Sequence, residues 1–263
     1  MTGLPASPAL ELELADGWLT VWFPEPEARN PLTAARVAAL VALCEALKGR
    51  RDVRGVTFRG RGGVFCAGGD LKGFRAALQG TREEIVAMSL AGAEAFAAVE
   101  ALEQVTVMAV EGFAMAGGFG LACCGDVVIA HREARFALTE ARIGIVPAQI
   151  APYVLARLGA REGRRLMLTA AQLDAEGAKA GGLADEVTED MEASLARIRA
   201  AVLACGPGAL AATKALIRAL PDRSRGEARE AAAHAFADAL LSEEGREGVA
   251  SFLEKRKPSW APR

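Results

Sequence analysis

The sequence predicts an α/β fold that gives way to helices toward the carboxyl terminus. Strand-like and helix-like segments alternate over the first hundred residues, and from about Gln149 onward apolar residues recur mainly at helical spacing. A chain of 263 residues can form one large domain with a smaller appendage. We therefore predict an α/β core over residues 1–206 and a helical region over 207–263, with the boundary near Gly206–Pro207.

A hairpin and a capped helix open the predicted fold. "LELELA" (10–15) alternates at period two, "DG" turns the chain, and "WLTVWF" (18–23) returns, as is typical of a β-hairpin. Thr33 then precedes a helix whose apolar residues share one face and which ends at Gly49. The remaining predicted elements are a strand at 55–60, a glycine-rich loop at 61–71, a helix at 82–103, a strand at 105–110, a second glycine-rich loop at 111–120, a short helix and two strands by 138, and helices at 191–206, 207–220 and 226–241.

Composition and charge exclude several classes of partner. The formal net charge is −2 without a block of like charges, which argues against a nucleic-acid partner. The first residues lack a basic start followed by an apolar run, so we expect no signal peptide. The longest uncharged window, 112–125, is too short and too rich in glycine to span a bilayer. We expect neither a nucleic-acid nor a membrane partner.

Cysteine and histidine usage indicates compartment and chemistry. The five cysteines form an odd set without a CxxC pair, which favours free thiols in a reducing cytoplasm. His131 and His234 are the only histidines, so a histidine-based zinc site or a Ser-His-Asp triad has little to draw on. We predict a cytoplasmic protein without a metal site.

Two loops, "FCAGGDL" (65–71) and "AMAGGFG" (114–120), each follow a predicted strand and expose bare backbone. Their glycine spacing does not fit a dinucleotide fingerprint, and neither loop has the Lys-Ser or Lys-Thr of a phosphate loop. Two interpretations stay open. The glycines can serve tight turns and close packing, or one N–H group from each loop can hold a carbonyl oxygen that gains negative charge.

Five segments together resemble the enoyl-CoA hydratase/isomerase (crotonase) superfamily. They are "ARNPL" (28–32), "FCAGGDL" (65–71), "EGFAMAGGFGLACCGDVVIA" (111–130), "ARFALTEARIGIVP" (134–147) and "FLEKRKPSW" (252–260), in family order and at family spacing. The resemblance implies a spiral of β-β-α turns, C-terminal helices that build a trimer or a pair of stacked trimers, and an acyl-CoA thioester as ligand. Coenzyme A would be part of the substrate, with no separate cofactor.

The resemblance also implies roles for individual residues. Gly69 and Gly117 match the positions whose backbone N–H groups hold the thioester oxygen, and Glu140 matches a catalytic carboxylate. Further candidate contacts of the substrate and its CoA moiety are Ala28, Arg29, Ala67, Asp70, Leu71, Lys72, Gly120, Gln149, Phe252 and Lys255. For Lys255 and the nearby Lys257, a solvated charged surface is an equally good interpretation.

The catalytic pattern departs from the family at one position. Family hydratases commonly use two glutamates about twenty residues apart, and here the second is Glu140 while the first position holds Gly120. A double-bond isomerase needs only one carboxylate. A hydratase would need another group to orient water, either Gln149 or a carboxylate on the substrate. A non-catalytic acyl-CoA-binding protein is a third interpretation.

A second departure favours hydration. The segment "GIVPAQIAPYVLARLG" (144–159), with "AGGFGLACC" and "EKRKPSW", resembles the isohexenylglutaconyl-CoA hydratase branch of the family. The substrate of that branch is a branched glutaconyl-CoA. We therefore expect hydration of a branched 2-enoyl-CoA, with Gly69 and Gly117 polarising the thioester and Glu140 moving the proton at C2.

Overall fold

The computed structural model describes residues 3–221 and 223–262. The strands in this part of the chain are β1 (Glu11–Ala15), β2 (Trp18–Phe23), β3 (Gly55–Gly60), β4 (Val105–Val110), β5 (Phe113–Met115), β6 (Val127–His131), β7 (Arg135–Ala137), β8 (Gln172–Asp174) and β9 (Glu186–Thr188). The helices are α1 (Ala34–Leu47), α2 (Leu71–Ala77), α3 (Arg82–Glu100), α4 (Gly117–Cys123), α5 (Ala151–Thr169), α6 (Ala175–Ala180), α7 (Met191–Leu203), α8 (Pro207–Ala219), α9 (Arg225–Leu241) and α10 (Glu243–Leu253).

Two sheets form the core. The larger has the strand order β1-β2-β3-β4-β6-β9, in which β1 is antiparallel to β2 and the other neighbours are parallel. The smaller has the order β5-β7-β8. The predicted hairpin at 10–15 and 18–23 is confirmed as β1 and β2, which are joined by Asp16 and Gly17 at positive φ.

The chain winds as a spiral whose turns repeat strand, short strand and helix. β4 belongs to the large sheet, β5 to the small sheet, and α4 follows; β6, β7 and α5 repeat this order. An earlier turn runs from β3 through an isolated parallel bridge at Cys66 to α2 and α3. The predicted α/β class and the spiral of β-β-α turns are therefore confirmed.

Local signals set the bounds of the first long helices. The Thr33 side chain accepts a hydrogen bond from the Arg36 N–H at the start of α1, as the sequence predicts. Thr81 and Glu84 form a reciprocal capping box at the start of α3. α3 then packs on α1 through its second half, where Phe96 and Val99 are buried. Its first half is largely exposed.

The C-terminal helices attach to the amino-terminal end of the large sheet. The Lys214 ammonium on α8 donates to the Asp126 carboxylate and to the Gln104 carbonyl, which lie just before β6 and β4. Burial lowers the pKa of Lys214, and Asp126 partly offsets this effect. α9 and α10 pack on α8 and on each other. The division at Gly206–Pro207 stays a prediction.

Several elements differ from the sequence prediction. The stretch 111–120, predicted as a loop, contains β5 and the start of α4. β8 and β9 lie in the part of the chain predicted to be mostly helical, and α2 occupies part of the connection before α3. Strands of three residues are too short to show a period of two, so tertiary pairing determines them.

Among the described residues, no single helix is long and apolar enough to cross a bilayer. α7 and α8 pass that test only as a pair, and they are bent by 99° at their junction. No group of three or more metal-ligating side chains occurs in residues 3–221 and 223–262. The five cysteines are free, as predicted, and only Cys205 is exposed.

Candidate active site

Three neighbouring parallel segments end at one edge of the small sheet. Cys66 pairs with Ala114, and Ala114 pairs with Phe136, so the three residues stand in one row across the segments. Gly69 follows Cys66 by three residues, and Gly117 follows Ala114 by three. Glu140 follows Phe136 by four residues. Because neighbouring parallel strands lie about 4.8 Å apart, the register brings these three candidates to one edge.

The two glycine loops approach each other through their backbones. A Cβ built on Gly117 would lie 3.6 Å from the Gly69 nitrogen, and one built on Gly68 would lie 3.1 Å from the Gly117 nitrogen. The N–H groups of Gly69 and Gly117 have no hydrogen-bond acceptor among the described residues. Both residues are half-buried. Two free amide donors from separate loops therefore stand side by side.

Close packing and a strained turn hold these amides in place. Gly68 has a φ of +96°, and its carbonyl accepts a hydrogen bond from the Leu32 N–H at 2.8 Å. A Cβ on Gly118 would lie 2.3 Å from the Cys66 carbonyl oxygen, so the second loop packs directly on the first. Ala116, just before α4, adopts φ 48° and ψ −119°, which costs energy for a residue with a Cβ. Close packing and tight turns therefore explain Gly68 and Gly118, and the binding of a carbonyl oxygen by Gly69 and Gly117 stays a prediction.

Glu140 is the buried carboxylate of this edge. It begins a short 3-10 helix, Glu140–Ile143, and is 8% exposed. Its Oε2 atom has no hydrogen-bond partner. Burial raises the pKa of the Glu140 carboxyl above its ordinary value of 4.5, and a hydrogen bond to its own backbone offsets part of this rise. A raised pKa makes the Glu140 carboxylate a stronger base than an exposed one.

Gly120 lies one turn into α4, and the side chain of Ile150 packs on it. A Cβ on Gly120 would lie 2.1 Å from Ile150 Cγ2 and 2.5 Å from Ile150 Cβ. Ile150 is 4% exposed and directly precedes α5. A side chain at position 120 would therefore displace Ile150. A direct contact between Gly120 and the substrate stays a prediction.

Gln149, the residue before Ile150, contacts α3. Its Nε2 donates a hydrogen bond to Ser89 Oγ at 3.0 Å. Gln149 and Ser89 are both half-buried. Gln149 Oε1 has no hydrogen-bond partner among the described residues, so it remains available as an acceptor beside Ile150.

The candidate CoA contacts near the first loop come together. The Ala67 N–H donates to the Arg29 carbonyl at 2.9 Å, which places Ala28 and Arg29 beside the loop that carries Gly69. The fully buried Asn30 side chain supports this arrangement because it donates to the carbonyls of Arg61 and Val64. The Arg29 side chain is exposed. It is a cation available to a ligand phosphate.

The helix after Gly69 carries the next three candidates. Asp70 caps α2 because its carboxylate accepts from the Lys72 N–H at 3.0 Å. Leu71 and Lys72 are exposed. Phe74, which the sequence analysis did not single out, lies with its ring edge 2.6 Å from the position of a Cβ on Gly69. An aromatic side chain therefore borders the first amide donor.

Phe252 and Lys255 lie at the other end of the sheet. Their segment is anchored by the Trp260 carbonyl, which accepts from Arg54 at 3.1 Å. Arg54 directly precedes β3, a strand of six residues that spans about 20 Å. Gly69 follows the opposite end of this strand. Phe252 is 83% exposed. A single chain therefore does not bring these two residues to the other candidates.

The buried thiols do not provide a nucleophile. Burial raises the pKa of Cys66 to about 11 and that of Cys123 to about 12. It also raises the pKa of Cys124. Thiols with such pKa values are almost entirely protonated at neutral pH, and only the thiolate reacts readily. The candidate reacting groups at this edge are therefore the two backbone donors and the Glu140 carboxylate.

Sequence reasoning missed Ser89, Phe74 and Ile150. Each makes a contact that no periodic pattern reveals. Ser89 accepts a hydrogen bond from a residue distant in the sequence, and Phe74 and Ile150 pack on the bare backbone of a glycine. The one available signal was the glycine itself, since residue 120 ends the stretch predicted as a glycine-rich loop and a glycine there permits a close approach by another group. That signal identifies the need for a neighbour but not the neighbour.

Comparisons with known proteins identify the family of this chain. The family model "Enoyl-CoA hydratase/isomerase" matches residues 13–263. A Thermus thermophilus protein whose name places it among the enoyl-CoA hydratases is 34% identical over 242 residues, covering 90% of this chain and 95% of the relative. A carnitinyl-CoA dehydratase of Proteus mirabilis is 33% identical over 210 residues, covering 76% of this chain and 77% of the relative.

Solved structures match nearly the whole chain. Pseudomonas aeruginosa AtuE is 40% identical with a TM-score of 0.94, over 97% of this chain and 100% of that protein. An enoyl-CoA hydratase/isomerase from Marinobacter aquaeolei is 34% identical with a TM-score of 0.93, over 97% of this chain and 99% of that protein. By the extent of the family match and by its fold, the chain belongs to the enoyl-CoA hydratase/isomerase family.

Proposed function

We propose that the protein adds water to a branched 2-enoyl-CoA thioester of the isohexenylglutaconyl-CoA type. The observation that carries this proposal is the buried Glu140 carboxylate, whose Oε2 lacks a partner at the edge where the free N–H groups of Gly69 and Gly117 meet. An unpaired buried oxygen costs free energy unless a ligand uses it. The arrangement suits an acid–base step beside an oxygen that gains negative charge.

The reaction follows from these three groups. The Glu140 carboxylate takes a proton from water while the water oxygen forms a bond to C3. The π electrons of the C2–C3 double bond move into the thioester, and the amides of Gly69 and Gly117 hold the enolate oxygen. Glu140 then returns the proton to C2. The net change adds H and OH across the double bond and regenerates the carboxylate. No cofactor is needed beyond the CoA of the substrate.

The branched substrate is the finer part of the proposal. It is supported by the segment 144–159 and its resemblance to one hydratase branch of the family. Hydration itself is supported by the Proteus relative, which is 33% identical and is named a dehydratase of a CoA thioester, the reverse type of reaction. A panel of branched and straight 2-enoyl-CoA esters, compared by kcat/KM, tests it. A preference for straight esters would contradict the branched assignment while leaving hydration in place.

An oligomer is part of the same proposal. Phe252 and Lys255 are exposed at the end of the sheet opposite to Gly69, so contact with CoA requires a site on another subunit. Large apolar side chains on α9 and α10, such as Phe236 and Leu253, are also exposed. We propose a homotrimer or a dimer of trimers, and light scattering in solution tests this state. A monomer that binds CoA esters normally would overturn it.

Isomerisation of a 3-enoyl-CoA is the second candidate function. It is favoured by the packing of Ile150 on Gly120, which leaves Glu140 as the buried carboxylate of this edge. A single carboxylate can remove a proton from one carbon and return it to another. The same two amides would hold the enolate.

One absorbance experiment separates the candidates. Loss of the conjugated enoyl-thioester absorbance from a 2-enoyl-CoA indicates hydration, and its appearance from a 3-enoyl-CoA indicates isomerisation. No change with either ester indicates a non-catalytic CoA-binding protein. Glu140→Gln is expected to abolish turnover while CoA-ester binding stays close to that of the wild type. Glu94→Gln, an exposed position on α3, is the matched control. Full turnover by Glu140→Gln would contradict the assignment.

A further inference from the structure

The first half of α3 is largely exposed. Of residues 82–91, all of which the structure describes, only Ser89 is half-buried and the others are exposed. The exposed set includes four apolar side chains, Ile85, Val86, Met88 and Leu90. The covered position is the one that accepts a hydrogen bond from Gln149. This hydrogen bond is therefore a specific feature of an otherwise open helix.

The hydrogen bond fixes the rotation of the Gln149 amide. Nε2 donates to Ser89, and the Oε1 atom has no hydrogen-bond partner in the described part of the chain. Gln149 directly precedes Ile150, whose side chain packs on Gly120 in α4. The loop that carries Gln149 starts at Glu140, and the Ile145 N–H donates to the Glu140 carbonyl at 3.2 Å. The free amide oxygen thus belongs to the same loop as the carboxylate.

We propose that Gln149 Oε1 holds the attacking water and that Ser89 is the residue that positions it. This inference rests on the proposed hydration. A water molecule has two hydrogens, and its attack on C3 transfers one of them to Glu140. The second hydrogen needs an acceptor that does not take the proton, and a neutral amide oxygen is such an acceptor. With both hydrogens held, a lone pair of the water oxygen is free to attack C3.

Ile150 explains why the acceptor comes from this loop. Its side chain occupies the space beside Gly120, so α4 supplies no polar side chain at that position. Gln149 is the adjacent residue, and its side chain donates a hydrogen bond to Ser89 on α3. Ser89 therefore acts through Gln149 without contacting the reacting atoms.

Two assays on the full-length protein separate water positioning from proton transfer. The first measures hydration of the best 2-enoyl-CoA ester as loss of the conjugated absorbance. The second measures exchange of the C2 hydrogen of a saturated acyl-CoA with deuterium from solvent, which needs Glu140 and the amides but cannot include attack by water. A residue that positions only the water changes the first and leaves the second unchanged.

The expected results are as follows. Ser89→Ala lowers kcat for hydration about three- to ten-fold, the effect of one neutral hydrogen bond, with KM and exchange unchanged. Ser89→Thr, which keeps the hydroxyl, restores hydration. Gln149→Leu lowers hydration about 10- to 100-fold without lowering exchange, because the water loses its orientation. Ser194→Ala removes a serine hydroxyl on α7 that donates to Glu186, and as the matched control it changes neither assay.

Three results would overturn the inference. Hydration by Ser89→Ala at the wild-type rate would show that the hydrogen bond positions nothing. An equal loss of hydration and exchange in Ser89→Ala would show a general structural role. If the wild type hydrates no ester, the proposed function fails and this inference fails with it. An active wild type with an unaffected Ser89→Ala removes only the inference.

Discussion

Ile150 packs on bare backbone at Gly120, with its Cγ2 atom 2.1 Å from the place where a Cβ would stand. Gly120→Ala is expected to lower the free energy of unfolding by about 1–3 kcal/mol because the methyl group overpacks a buried contact. Ile150→Ala is expected to lower it by about 2–5 kcal/mol because it leaves a cavity. The double variant should lose less free energy of unfolding than the sum of the two single losses, since removal of the Ile150 side chain leaves room for the added methyl group. Urea denaturation of the four proteins measures this coupling, and strictly additive losses would contradict the contact.

Gly117→Ala tests the paired amides. The added methyl carbon would lie 3.6 Å from the Gly69 nitrogen, in the space where a carbonyl oxygen would bind. We expect kcat to fall about 10²–10³-fold, the effect of removing one such donor. The Leu32 side chain, 3.0 Å away, needs to move only slightly, so thermal stability should change little. Gly92→Ala on α3 meets nothing within 4 Å and is the matched control. Wild-type turnover in Gly117→Ala would disprove the amide site.

The pH profile tests the state of Glu140. Burial raises the pKa of this carboxyl above 4.5, and the proposed reaction starts from the carboxylate. The value of kcat/KM should therefore increase as pH rises through the elevated pKa and fall below it. Measurement of kcat/KM from pH 4 to 9 provides the curve. An acid limb centred at or below 4.5 would contradict the buried environment.

Glu140→Gln should also change stability. A carboxyl whose pKa is raised in the folded state holds its proton more tightly when folded, so stability is lost as pH rises from 4.5 through the folded pKa. At pH 8 the neutral glutamine avoids this loss, and we expect a gain of about 0.5–2 kcal/mol. The gain should be much smaller at pH 4, where glutamate is mostly protonated in both states. Thermal melts at the two pH values measure it, with Glu94→Gln as control. A gain independent of pH would contradict a role for ionisation.

The sequence by itself determined the fold class and the order of the long elements, and it identified the candidate reacting groups. Alternation at period two marked the hairpin, Thr33 marked the start of α1, and the spacing of the glycine loops and Glu140 indicated the family. These signals are local, because turn chemistry, capping and backbone exposure depend on neighbouring residues. The same signals could not locate β5, β8 and β9, whose three residues form strands only through pairing with distant segments.

The tertiary structure alone decided how the groups meet. The register of Cys66, Ala114 and Phe136 across neighbouring segments sets the two amides and the carboxylate at one edge. The contact of Ile150 with Gly120 and the hydrogen bond between Ser89 and Gln149 join residues 30 and 60 positions apart. Burial raises the pKa of Glu140, and close packing fills the space beside position 120. Both effects depend on elements that converge only after the chain folds, and for this physical reason the sequence alone does not show them.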